Sequence, residues 1–234
     1  MKNDAGKIKK EAIVIYCLIG GIFLISRLWK LTTLPMGLHV DEAAIGYNAY
    51  CLANYGVDRY LEPYPLIVRN FSGSQSPLYT YLLVLGIKLV GYHTSLIRIP
   101  AFIFSVITLI FGTLISRRLL GEIGGYICAF LITVCPYFIQ ASHVGLDCNL
   151  YLGTFTMAIY FLIRALDKQS GRGWIIAGIF SGVVLYSYAL SYLSIPFFLA
   201  MVFLYLIYNR KISIKNFLCF AVPLGILALP LILV

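Results

Sequence analysis

PLYTYLLVLGIKLVG, residues 77–91, is the stretch on which the whole reading turns. It is apolar, but it is only 15 residues long and carries Lys88 and two glycines. A bilayer-crossing helix needs about 20 predominantly apolar residues. Whether this run crosses decides the side of every loop that follows it. The rest of the chain leaves no doubt that a bilayer is involved. Of 234 residues, 61% are hydrophobic and 12% charged, and the mean hydropathy is +0.90. A soluble domain is roughly half apolar and about a quarter charged. The composition excludes disordered, collagen-like and disulfide-scaffold classes. The net charge of +9 comes from scattered Lys and Arg. Membrane topology explains that scatter better than a phosphate-tracking patch does, so no nucleic-acid partner is expected.

Seven other apolar runs stand at 12–28, 99–116, 124–139, 150–163, 174–188, 193–208 and 217–234. If residues 77–91 also crossed, Arg117 and Arg118, then Arg164, Lys168 and Arg172, then Arg210, Lys211 and Lys215 would all lie outside. That inverts the rule that short cytoplasmic loops carry the Lys and Arg. If the run does not cross, all of them share the cytoplasmic side with Lys7, Lys9 and Lys10. The run is therefore read as a helix lying in or dipping into the outer interface. The expected architecture is an all-α integral membrane protein of about seven transmembrane helices, with its N-terminus cytoplasmic. The first run lacks a small-x-small cleavage site and ends in Arg27, Trp29 and Lys30, as an uncleaved helix would. The last run reaches Val234 with no polar tail. Residues 1–234 are expected to be a single membrane domain, the N-terminal part of a longer protein.

This topology puts the long loop after the first span and the short loop 140–149 on one face. Asp41, Glu42, Asp58 and Glu62 lie in the first and Asp147 in the second. Carboxylates beside hydrocarbon are costly unless paired or used, so these are functional candidates. Asp41 precedes a plausible helix from Glu42 to Asn54; capping it is the plain structural role, with Glu42 favoured by the positive helix end. A carboxylate fixed there also suits a general base. Asp147 is expected to cap the fourth span, with Asn149 as competitor, and His143 has a simple interfacial reading. His39, Asp41, Glu42, His143 and Asp147 are of types that can hold a divalent ion. Their spacing is not diagnostic, and no metal or other cofactor is assigned. The six cysteines form no CxxC pair. Asn70-Phe71-Ser72 fits the N-glycosylation pattern. Tyr186, Tyr188 and Tyr192 read as an aromatic interface belt.

Three blocks carry a family resemblance: GLHVDEAAIGYNAY at 37–50, SPLYTYLLVLGIKLVGYHTSLIRIPAFIFSVITLIFGTLISRRLLG at 76–121, and ASHVGLDCNLYL at 141–152. In this order they resemble the N-terminal half of a polyprenyl-phosphate-dependent glycosyltransferase of the GT-C superfamily. The relatives are the protein O-mannosyltransferases (glycosyltransferase family 39) and the lipid A aminoarabinose transferases. The resemblance implies a sugar donor on a polyprenyl phosphate at the outer leaflet of the plasma (inner) membrane. The acceptor is a hydroxyl or phosphate on a protein, a lipid or an envelope glycan. It implies an essential aspartate at Asp41, with Glu42 beside it, and a second acid at Asp147. It also implies a juxtamembrane helix between the first two spans. The chemistry it suggests is a single inverting displacement with Asp41 as base. His39, Arg69, Gln75, His143 and Asn149 are the remaining candidate substrate contacts, and Arg69, Lys88 and Arg98 the candidate phosphate partners. The chain departs from the pattern in having Gln75 and Ser76 where many relatives carry a lysine before Pro-Leu, and His143 where they often carry arginine. A non-catalytic membrane subunit or truncated pseudoenzyme, and less so a transporter or flippase, are the competing readings.

Overall fold

The computed structural model describes residues 10–70 and 73–233. Lys7, Lys9 and Val234, with Phe71 and Ser72 of the Asn-Phe-Ser pattern, lie outside the described residues. Helices dominate the described chain: α1 (Lys10–Leu28), α2 (Val40–Tyr55), α3 (Pro77–Val90), α4 (Ile99–Val134), α5 (Pro136–His143), α6 (Asp147–Lys168), α7 (Gly171–Leu185), α8 (Ser191–Tyr208) and α9 (Ile214–Ile232). A small antiparallel hairpin, β1 (Val68–Asn70) and β2 (Gly73–Gln75), precedes α3. A 3-10 turn, Thr94–Arg98, leads into α4.

By length and composition, five helical stretches can cross a membrane: Lys10–Leu28, Thr94–Val134, Asp147–Lys168, Ser191–Tyr208 and Ile214–Ile232. The second is folded on itself. Gly121, at φ 78° and ψ −171°, breaks α4 into arms at 99–120 and 122–134. The arms return alongside each other, with the Ser116 hydroxyl donating to the Gly124 carbonyl at 2.8 Å. The run expected at 124–139 is therefore two pieces, because Pro136 cannot continue the helix and starts α5 instead. Helix α7, at 15 residues, is a shorter apolar helix.

Helix α3 has 14 residues, a rise of about 21 Å against about 30 Å of hydrocarbon. It packs on α2 instead of joining the bundle. Ile45, Ala49 and Leu52 of α2 meet Tyr79, Leu83 and Ile87 of α3, and Ile97, Ala101 and Leu150 complete this cluster. Ile97 stands in the 3-10 turn before α4, Ala101 and Leu150 at the starts of α4 and α6, and the Leu78 amide donates to the Tyr186 carbonyl at the end of α7. The α2–α3 layer thus covers one end of the helix bundle, as the juxtamembrane expectation required.

Inside the bundle, α6 runs along α4, and α7 packs between α6 and α9. These contacts are close because small residues sit at the crossings. A Cβ on Gly153 would come within 2.7 Å of the Phe104 carbonyl, and one on Gly178 would run into the Phe220 carbonyl. Trp174, Leu199, Phe203 and Phe220 fill the core among α6 to α9. Arg27, fully buried near the end of α1, donates to the carbonyls of Ile132 and Thr133 and lies over the Phe23 ring. Those carbonyls close α4, so the guanidinium satisfies a helix end that would otherwise be orphaned. At the opposite end from the α2–α3 layer, Arg117 pairs with Glu122, Arg118 with Asp167, and the Gln169 side chain donates to the Lys211 carbonyl. Arg117, Arg118 and Lys211 of the topology argument are gathered there.

Nothing lies within 4 Å of a Cβ built on Gly121, so its substitution acts through the backbone alone. Its dihedrals fall in a region essentially confined to glycine, where another residue costs about 1–3 kcal/mol. Gly121→Ala is expected to lower the thermal midpoint of the purified protein in detergent. An unchanged midpoint would show that the two arms do not depend on this bend.

Candidate active site

Beside the α2–α3 layer opens a cleft of about 470 Å³. Four segments wall it: the start of α2 with Asp41, the hairpin with Asn70, Ser74 and Gln75, the start of α6 with Leu146, Asp147 and Cys148, and the turn after α7 with Tyr188 and Ala189. Asp41 and Asp147, which the topology puts on one face, both line this cleft.

Asp41 reaches the cleft because another residue caps its helix. The expected cap was Asp41 itself; the structure gives that position to His39. His39 Nδ1 accepts from the Asp41 amide at 3.2 Å, while Glu42 Oε2 accepts from the His39 amide at 2.9 Å. This is a capping box with histidine in place of the usual hydroxyl residue. The Asp41 carboxylate is left free for other partners. Its Oδ1 accepts from Asn70 Nδ2 at 2.7 Å. Its Oδ2 lies 3.5 Å from His39 Nδ1, and the side chain is 41% exposed.

Asp147 also proves not to be a cap. Leu146 occupies that position, and Asp147 is the first helical residue. Its carboxylate accepts from the Ser76 amide at 3.1 Å and from the Cys148 amide at 2.9 Å. The first bond ties α6 to the junction of β2 and α3. Gln75 stands on the same wall, 7% exposed, and its Oε1 has no hydrogen-bond partner among the described residues. A buried amide oxygen left in that state costs free energy until a donor arrives. Tyr188 closes the other side. Burial, reinforced by Cys148 and Asp147, pushes its phenol upward, so the hydroxyl remains a neutral donor at neutral pH.

The remaining candidates stand elsewhere. Glu42 is fully buried and off the cleft: Oε1 accepts from Arg98 Nε at 3.1 Å and from the Gly145 amide at 2.7 Å. The other four N–H groups of Arg98 go to the carbonyls of Leu31, Leu34, Pro35 and Gly37 at 2.7–3.2 Å. Arg69 pairs with Glu62 at 2.9 Å on an exposed surface. Lys88 is exposed in the last turn of α3. His143 is wedged between helices, its Nδ1 2.9 Å from the Ile139 carbonyl and its Nε2 3.3 Å from the Trp29 carbonyl. Asn149 donates to the Val144 carbonyl at 2.7 Å and faces a small internal cavity with Phe23 and Ala101. Asp58 is buried in its loop, accepting from the amides of Tyr60 and Glu62. The structure thus assembles Asp41, Asp147 and Gln75, with His39 beside Asp41. It adds Asn70, which resembled a glycan acceptor, and Tyr188, which read as part of a belt. No Lys or Arg is among the described residues lining the cleft, and no group of three His, Cys, Asp or Glu among the described residues is placed to hold a metal ion.

Three comparisons bear on this site. The family model for dolichyl-phosphate-mannose-protein mannosyltransferases matches residues 74–234. No curated protein sequence matches the chain. Among solved structures, ArnT from Cupriavidus metallidurans, crystallised bound to undecaprenyl phosphate, is similar with a TM-score of 0.70 at 12% identity. The likeness covers 97% of this chain and 41% of ArnT, so the chain spans about two fifths of that protein's length. At this identity the match shows the fold, a GT-C fold.

Removing one partner of a buried ion pair typically costs about 3–5 kcal/mol, because the other charge is left uncompensated. Glu42→Ala is therefore expected to reduce the yield of folded protein and its thermal midpoint far more than Asp41→Ala, its half-exposed neighbour. Fluorescence-detected size-exclusion chromatography after a temperature ramp measures both. Equal losses would remove the distinction between the two acids.

Proposed function

We infer the function from one premise: this chain belongs to the dolichyl-phosphate-mannose-protein mannosyltransferase family. It is thereby a membrane glycosyltransferase of the GT-C type. We propose that it carries the acid-bearing cleft in which a sugar leaves a polyprenyl phosphate for an acceptor hydroxyl. The observation that carries this reading is the placement of Asp41 and Asp147 on one cleft, with Asp41 Oδ2 taking no hydrogen bond among the described residues and His39 Nδ1 3.5 Å from it.

The reaction follows from that placement. The acceptor oxygen attacks the anomeric carbon as the bond from that carbon to the phosphate oxygen breaks. Asp41 takes the acceptor proton, and the polyprenyl phosphate departs with the bonding electrons. One displacement inverts the anomeric centre. A phosphate leaves readily, so proton removal from the acceptor is where a positioned carboxylate helps most. Asp147, fixed by two backbone amides, places its carboxyl group beside the sugar, where positive charge develops at the anomeric carbon. Gln75 Oε1 and the Tyr188 hydroxyl offer an acceptor and a donor to sugar hydroxyls. Arg98 is fully engaged by Glu42 and four carbonyls, so it does not serve the phosphate. Arg69, next to Asn70 on the hairpin, is the basic residue better placed to do so, in competition with Glu62.

Orientation is part of the proposal. The basic residues around 117–122, 167–172 and 210–215 lie at the end of the bundle opposite the cleft. The positive-inside rule makes that end cytoplasmic and the cleft outward-facing, with a cytoplasmic N-terminus and about seven crossings. This suits a plasma-membrane enzyme acting on proteins, lipids or envelope glycans.

The test is transfer of labelled mannose from mannosyl undecaprenyl phosphate by the full-length protein in proteoliposomes. Losing a general base typically costs about 10²–10⁴-fold. Asp41→Asn is expected to fall within that range while remaining folded, and Asp147→Asn to be impaired less. Undiminished transfer by Asp41→Asn would refute the base assignment.

A further inference from the structure

Asn70 is the residue of the cleft that neither charge nor position along the chain would single out. It ends β1, opposite Gly73 of β2. Its amide is polarised in a definite sense: Nδ2 donates to Asp41 Oδ1 at 2.7 Å, and Oδ1 accepts from Arg59 Nη2 at 2.8 Å. The second bond dictates the first. A guanidinium only donates, so the amide oxygen must face it, and the NH2 group must then turn toward the carboxylate.

The frame behind this relay is also fixed. Asp41 and Asn48 are seven residues apart on α2, about two turns, so they share one face of the helix. Asn48 is fully buried; its Nδ2 donates to the Arg69 carbonyl at 3.3 Å and its Oδ1 accepts from the Arg59 amide at 3.3 Å. The same helix face therefore holds the hairpin through Asn48 and receives its side chain at Asp41. Either rotation of the hairpin or loss of the amide would release the carboxylate.

We propose that Asn70 is a positioning residue of the active site. It occupies one oxygen of Asp41 and leaves the other facing the cleft, with Arg59 setting the polarity of the amide. The inference deepens the reading of Asp41 as base and rests on it. It also changes the meaning of Asn70-Phe71-Ser72. A glycan on Asn70 would be attached to the nitrogen that holds Asp41, on the cleft wall, so this asparagine belongs to the site and is not a glycan acceptor.

Four variants of the full-length protein separate the possibilities: Asn70→Ala, Asn70→Asp, Arg59→Leu and Ser72→Ala. Ser72→Ala destroys the glycosylation pattern and keeps the asparagine in the sequence. Asn70→Asp keeps the size of the side chain and an acceptor for Arg59, but replaces the donor by a carboxylate oxygen that repels Asp41. With mannosyl undecaprenyl phosphate as donor, a misplacement of about 1 Å costs about 100-fold in rate. Both Asn70 variants are expected to lose about that much in kcat, with the KM for donor within about twofold of the parent, since ground-state binding is untouched. Arg59→Leu should lose less, and Ser72→Ala should match the parent. An Asn70→Ala defect confined to KM, or a Ser72→Ala defect as large as that of Asn70→Ala, would overturn the proposal. An electron cryomicroscopy structure of Asn70→Ala reads the geometry without any assay. A carboxylate of Asp41 that has swung from its position sustains the relay even if the parent transfers no mannose, in which case the catalytic reading fails alone. An unmoved carboxylate sinks the relay whatever the activity.

Discussion

The ion pair between Glu42 and Arg98 holds together everything that matters at this end of the molecule. Both side chains are buried, at 0% and 2% exposure. Taking two charges out of water costs several kcal/mol per ion, and their attraction offsets this only when the leftover hydrogen-bonding capacity is also met. Here it is met. The guanidinium distributes its other protons over four carbonyls of the segment between α1 and α2, and the carboxylate takes two backbone amides besides. One of those amides belongs to Gly145, just before α6, and a Cβ there would lie 2.9 Å from the Ile97 carbonyl and the Tyr79 hydroxyl. A single pair thus joins the linker after α1, the start of α2, the turn before α4 and the turn before α6. These are the segments that carry or adjoin the two cleft carboxylates.

The pair also explains how two neighbouring acids come to have different surroundings. Consecutive helical residues point about 100° apart. Once Glu42 is drawn inward by Arg98, Asp41 must face away from the core, and it opens onto the cleft. The buried acid fixes the helix, and the half-exposed one is available for chemistry. His39 makes this division complete by capping α2, a task that would otherwise fall to Asp41.

Much of this was readable from residue order. The short length of the 77–91 run and the distribution of Lys and Arg were enough to take it out of the bundle, and the structure lays it on α2. The likeness to GT-C transferases in three blocks pointed to the fold, and the family match covers residues 74–234. Residue order also puts Asp41 and Asp147 on one face, since both loops emerge on the same side, and both line the cleft. Individual roles were harder. Acids before an apolar run usually cap a helix, but His39 and Leu146 hold those positions, so Asp41 and Asp147 keep their carboxylates for other partners. His143 and Asn149 were near Asp147 in sequence, and their side chains nonetheless turn into the helix packing.

The sequence by itself determined the solvent, the helical class, the opposition of basic and acidic ends, and the loops that bear the acids. These follow from hydropathy, charge and length, which are sums over local composition. Only the tertiary structure decided which acid is buried, that Arg98 belongs to Glu42 and not to a phosphate, and that Asn70 and Tyr188 complete the cleft. Those outcomes depend on the direction of single side chains across segments far apart in the chain. Direction is set by which donor finds which acceptor when the α2–α3 layer closes over the bundle.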